Sequence, residues 1–132
     1  MVYNRCMADL QRLSGWIDGY VRAWNSNDPA DIGALFTEDA RYHPEPFGQP
    51  WHGRQRIVRE WLARQDEPGQ TTFDWHALAI TDDVAIIQGT TGYPDRTISN
   101  LWVIRLDANG HCREFTEWWM EQPAAHRSGR SG

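Results

Sequence analysis

Apolar residues early in the chain recur every three or four positions, at Leu10, Leu13, Ile17, Tyr20, Val21 and Trp24. That is the spacing of one helical face, and it predicts a helix over residues 9–24. Gly15 and Gly19 weaken such a helix by about 1 kcal/mol each against Ala, so a neighbour is expected to approach its backbone closely. Asn25-Ser26-Asn27 breaks the stripe. Asp28-Pro29-Ala30-Asp31 then reads as a new helix start, with a capping Asp, a Pro at the first turn and an acid at the positive end. This second helix is expected to turn Ile32, Leu35 and Phe36 inward and to end near Thr37-Glu38-Asp39. Residues 40–43 read as a short extended piece, and Pro44, Pro46 and Pro50 exclude a central strand or a helix just after it. A third helix is expected from about residue 53 to residue 65, burying Ile57, Val58, Trp61 and Leu62, with Asp66-Glu67-Pro68-Gly69 as its stop.

The second half changes period. Residues 72–80, 84–93, 97–106 and 112–120 are rich in β-formers, and the joins at Thr81-Asp82-Asp83, Tyr93-Pro94-Asp95 and Asp107-Ala108-Asn109-Gly110 carry turn chemistry. Strands joined by such tight turns pair antiparallel. Helices gathered on one side of an antiparallel sheet make an α+β domain, and a strongly bent sheet leaves a cavity against the helices. Residues 1–122 are read as one domain, and residues 123–132 as a disordered tail with little to bury.

Composition narrows the function. The chain has 132 residues, a net charge of −5, and eight Trp, four Tyr and four Phe. So many large rings imply a pocket wall or a substantial interface. The acidic balance and scattered arginines argue against nucleic acid as a partner, and no apolar run reaches the length of a membrane span. Cys6 and Cys112 give neither a disulfide framework nor zinc-ligand spacing. No phosphate-binding loop, nucleophile elbow or metal motif appears. The expectation is a cytoplasmic protein with reduced thiols, needing no cofactor and no metal.

Several segments carry a resemblance: Tyr20-Val21-Arg22-Ala23-Trp24-Asn25 leading to Asp28, Ala34-Leu35-Phe36-Thr37-Glu38-Asp39-Ala40, Gly53 with Ile57, and the stretch from Trp102 to Gly110. Over about residues 13–122 the chain resembles the nuclear transport factor 2-like superfamily, in its SnoaL-like and ketosteroid-isomerase-like branch. The resemblance implies a cone-shaped, cystatin-like barrel: a curved antiparallel or mixed sheet wrapped by three N-terminal helices around an internal pocket. It also implies a homodimer through the sheet face. It identifies a fold rather than a reaction, because such folds host isomerases, cyclases, dehydratases and binders alike.

Ketosteroid-isomerase-like chemistry needs a carboxylate base and donors aimed at a developing enolate oxygen. Tyr20 stands where the resemblance places a donor, eight residues before Asp28; it is equally a core residue on the apolar stripe. The family's base follows the first strand in an Asp-Pro pair. Glu45-Pro46 matches if one residue is inserted; otherwise Pro44 takes the position. His43 is the other candidate base, or a rim residue. No Asp stands where the second donor belongs; Trp102 does, with Asn100 two residues earlier on the same face. Glu117, between Phe115 and Trp118-Trp119, is a candidate buried carboxylate, with Arg113, two places back along the same strand face, as its candidate partner; an outer ion pair or a dimer contact is the alternative. Trp24, Phe47, Trp61, Trp102 and Trp119 are candidates for the pocket wall. Three readings follow: a proton-transfer enzyme (isomerase, cyclase or hydratase) acting on a small, mostly apolar substrate, a non-catalytic binder of an apolar ligand, or an interaction domain whose cavity is filled by Trp side chains.

Overall fold

The computed structural model describes residues 2–64, 71–81 and 84–123, with side chains from residue 10 onward. The elements are α1 (Val2–Ser26), α2 (Pro29–Gly33), β1 (Phe36–His43), β2 (Trp51–His52), α3 (Arg54–Ala63), β3 (Thr72–Ile80), β4 (Ala85–Gly92), β5 (Thr97–Leu106) and β6 (Cys112–Glu121). The fold is α+β. The Asp66–Gly69 helix stop, the Asp82-Asp83 turn pair and the tail beyond Pro123 lie outside the described residues.

Along α1, Leu13, Ile17 and Tyr20 are buried, as the stripe predicts, and Trp16 and Ala23 join them. Leu10 does not: it is 44% exposed. Gly19 meets the expected close approach, since a Cβ there would stand 3.1 Å from Leu35 Cδ2. Around Gly15 there is open space, and nothing in the structure explains that glycine. Asn27, at φ 52°, turns the chain in a conformation Asn tolerates, and the Asp28 side chain then accepts from Ala30 N at 2.9 Å to cap α2.

α2 ends at Gly33, and Thr37-Glu38-Asp39 belongs to β1 instead of the helix end. The Leu35 carbonyl accepts from Cys112 N at 2.7 Å and from Trp16 Nε1 at 2.9 Å. Those bonds commit the backbone to the sheet a turn earlier than local propensity suggests. Ile32, Leu35 and Phe36 are buried as expected. After Pro50, a two-residue β2 pairs with β1 at the sheet edge, where a preceding Pro is tolerated. Gly53, at φ 98°, then turns the chain into α3, a conformation that favours glycine, and donates from N to Ala40 O at 2.7 Å.

The six strands run in the order β2-β1-β6-β5-β4-β3. β3 to β6 pair antiparallel, while β1 lies parallel to β6, so the sheet is mixed. It stays open at β2 and β3 instead of closing into a barrel. Trp16, Tyr20, Phe36, Tyr42, Trp102 and Phe115 fill the space between its inner face and the helices. Among the described residues no helix is long and apolar enough to cross a membrane.

Candidate functional site

Side chains on a strand alternate between faces, and on β5 that rule puts Ile98, Asn100, Trp102 and Ile104 inside, all buried. On β6 the alternation is interrupted. Arg105 pairs with Glu114 but Leu106 with Cys112, so Arg113 is the extra residue of a bulge. Cys112 and Phe115 are both fully buried and Arg113 is exposed. Arg113 therefore leaves the face of Glu117, and its expected pairing with that carboxylate gives way to a different one. Asn100 Nδ2 donates to Glu117 Oε2. The Asn100 amide is held in turn by Thr91, whose Oγ1 donates to Asn100 Oδ1 at 2.7 Å.

These groups border a cavity of about 340 Å³ between the sheet and α1 and α3, lined among others by Tyr20, Trp24, Tyr42, Trp61, Trp102 and Trp119. This volume lies in the range of small-molecule sites, roughly 300–1,000 Å³. The Tyr20 and Tyr42 hydroxyls lie 2.7 Å apart. Only one proton is needed for the bond between them, so one remains for a guest. Trp102 is 1% exposed and stacked on Phe73, centroids 4.6 Å apart at 15°. Its buried Nε1 makes no hydrogen bond of ordinary geometry but lies near enough to the Glu117 carboxyl to favour its charged form, so it is a donor that a guest in the cavity would share with Glu117.

Burial tunes the titratable groups. The Glu117 carboxyl is pushed up to about 6, because leaving water penalises its charged form; hydrogen bonding by Asn100 and the nearby Trp102 N–H pull the other way. Tyr20 is held well above the ordinary phenol value by burial and then by its neighbours Tyr42 and Glu117, and Tyr42 is raised by burial too. Both phenols are protonated donors at neutral pH. The buried Cys112 thiol, at the start of β6 where it pairs with β1, is pushed up to about 12 by desolvation, which leaves it inert.

The structure thus brings together Tyr20, Trp24, Trp61, Asn100, Trp102, Glu117 and Trp119. It places the other three candidates elsewhere. His43 follows the inward-facing Tyr42 and so points to the outer face, where its Nε2 lies 2.9 Å from Glu114 Oε2. Glu45 is exposed in the turn after β1. Phe47 is 92% exposed and packs edge-on against Trp118 at 6.1 Å. Glu45 and Phe47 border a groove of about 630 Å³ on the outer face, with Gln88, Leu101, Trp118 and Met120. The likeness of Glu45-Pro46 to the family's Asp-Pro pair singles out Glu45, and ring size singles out Phe47, but neither says which way the side chain faces. Tyr42, Thr91, Arg64 and Arg96 also line the inner cavity. The inner-face phase of β1 and β4 marks the first two; the arginines sit at element ends and carry no sequence signal. Among the described residues no cluster of His, Cys, Asp or Glu could hold a metal ion.

Residues 17–124 match the family model of the SnoaL-like domain. No curated protein matches the chain significantly. Solved structures do. An NTF-2 like protein of unknown function from Burkholderia xenovorans is 14% identical, with 91% of this chain and 94% of that one covered and a TM-score of 0.66. SalBIII, an epoxide hydrolase/cyclase-like enzyme with a role in pyran ring formation in the polyether salinomycin, is 18% identical over 85% and 93% of the chains, with a TM-score of 0.67. A candidate ketosteroid isomerase from Kribbella flavida is 18% identical over 89% and 87%, with a TM-score of 0.63. At these identities the likeness is one of fold, and others of the matching structures are described as cystatin-like.

Proposed function

Because this chain belongs to the SnoaL-like domain family, we propose that it is a proton-transfer enzyme, an isomerase, cyclase or hydratase acting on a small, mostly apolar molecule bearing a carbonyl or a comparable oxygen. The observation that supports this most is Glu117: a carboxyl tuned to about 6, bordering a ring-lined cavity beside donors with bonding capacity to spare. The substrate oxygen accepts from the Trp102 indole and the Tyr20–Tyr42 pair. The Glu117 carboxylate takes a proton from the adjacent carbon as negative charge moves onto that oxygen. It then returns the proton at another atom, so the protein ends as it began. A base near neutrality suits such a step, and donors fixed before reaction stabilise the developing oxyanion. The chemistry named for SalBIII and the Kribbella protein is compatible with the same layout.

The test is deuterium incorporation from D₂O next to the carbonyl of 2-tetralone, followed by NMR. Wild type is expected to accelerate exchange above pH 6, and Glu117→Gln to abolish the acceleration. A ketone that binds but exchanges at the solvent rate would leave a non-catalytic binder as the reading.

The outer face supports a second part of the proposal, a homodimer. Trp118 is 44% exposed and Met120 71%, and with Phe47 and Leu101 they border one apolar groove. Contiguous exposed patches of this kind mark association surfaces, and a second copy would cover it.

A further inference from the structure

The cavity holds one feature that an apolar guest would not use. Arg64, after α3, and Arg96, before β5, both line it, and each guanidinium lies over an aromatic ring. The Arg64 Cζ stands 5.0 Å from the Trp51 ring centre, and the Arg96 Cζ 4.8 Å from that of Tyr93. Stacking of this sort fixes a guanidinium through its face. The in-plane N–H donors of Arg96 stay available, while Arg64 gives its Nη1 to Glu60 and keeps its other N–H groups; the guanidinium fork matches a carboxylate. Both side chains are exposed, so they belong to the mouth, whereas Trp102 and Asn100 lie deep. Arg64 shares Glu60 with Arg56, and Arg96 makes no ion pair among the described residues. Glu121 is the acid on the same rim.

We infer that the mouth takes the anionic end of the ligand between Arg64 and Arg96, so that the substrate class is a small ring-bearing carboxylic acid. This rests on the reading of the cavity as a small-molecule site. The ring lies against Trp24, Trp61 and Trp102, the reacting oxygen faces Trp102 and the tyrosine pair, and the carboxylate stays at the wet rim. Placing the anion outside also keeps it away from the Glu117 carboxylate, where like charge would oppose it.

The pair that tests this is 2-naphthoate and its methyl ester, which share a ring system and differ in charge. Binding is followed by quenching of tryptophan fluorescence at pH 7.5 and low salt. The acid is expected to bind wild type about tenfold more tightly than the ester. Arg96→Gln should lower that ratio and Arg64→Gln/Arg96→Gln bring it to about one. Salt should erode the preference as well, since exposed charges are screened. An ester that binds as well as the acid, or a preference that survives in the double variant, overturns the anionic end while leaving the cavity reading intact. If neither compound binds, the cavity reading itself falls and this inference with it.

Discussion

Glu117 is a carboxyl placed where ionisation is costly. Its folded value of about 6 lies above the ordinary 4.5, so the native state holds its proton more tightly than the unfolded chain does. The penalty for ionising it is absent below pH 4.5, grows between 4.5 and 6, and is complete above 6, at about 2 kcal/mol from 1.36 kcal/mol per unit. Urea unfolding at pH 4.5 and pH 7 is therefore expected to show wild type losing about that much relative to Glu117→Gln; parallel stabilities would contradict it. Thr91 acts one step removed, by fixing which way the Asn100 amide faces. Thr91→Val frees that amide to turn away from Glu117, and loss of the donor raises the carboxyl further. The exchange of 2-tetralone should then show its pH inflection above 6, while a purely structural Thr91 would leave the inflection in place. Tyr20 and Glu117 are legible in the sequence because each sits on an apolar face at the right phase. Glu45 and His43 are not, because a residue type that suits a base says nothing about which side of the sheet it faces.

Within the elements, irregularities do more than regular pairing to shape the cavity. Gly89 on β4 shows this: a Cβ there would come within 2.6 Å of Phe73 Cζ, and Phe73 is the ring stacked on Trp102. Gly89→Ala should displace that stack, destabilise by about 1–3 kcal/mol as overpacking does, and weaken 2-naphthol binding. Thermal unfolding and a binding titration check both; unchanged binding would mean that the stack does not support the site. The bulge at Arg113 explains why strict alternation along β6 misplaces the Arg113 side chain yet places Glu117, Trp119 and Phe115 correctly on a shared side. Helix periodicity is the more transferable signal, since α1 after Leu10 and α3 bury or half-bury every position their stripes specify. A helix face needs only local spacing, but strand phase is reset by each inserted residue.

The arrangement of the whole molecule depends on contacts between distant parts. The sequence announces helices and antiparallel strands, but the parallel pairing of β1 with β6 joins segments some seventy residues apart and has no local signature. That pairing sets Tyr42 opposite Phe115, and so completes the hydroxyl pair with Tyr20. At this scale the outer groove predicts a dimer: sedimentation at micromolar concentration should give about twice the 15.3 kDa chain mass, and Trp118→Glu should shift it toward monomer. A single 15.3 kDa species would contradict that. The central claim, that the fold builds a proton-transfer site around Glu117, is tested most directly by carbon-13 NMR titration of the Glu117 carboxyl, assigned with Glu117→Gln, with and without 2-naphthol. The account predicts a midpoint near 6 that moves when the phenol enters the cavity. A midpoint near 4.5 that ignores the phenol would contradict it.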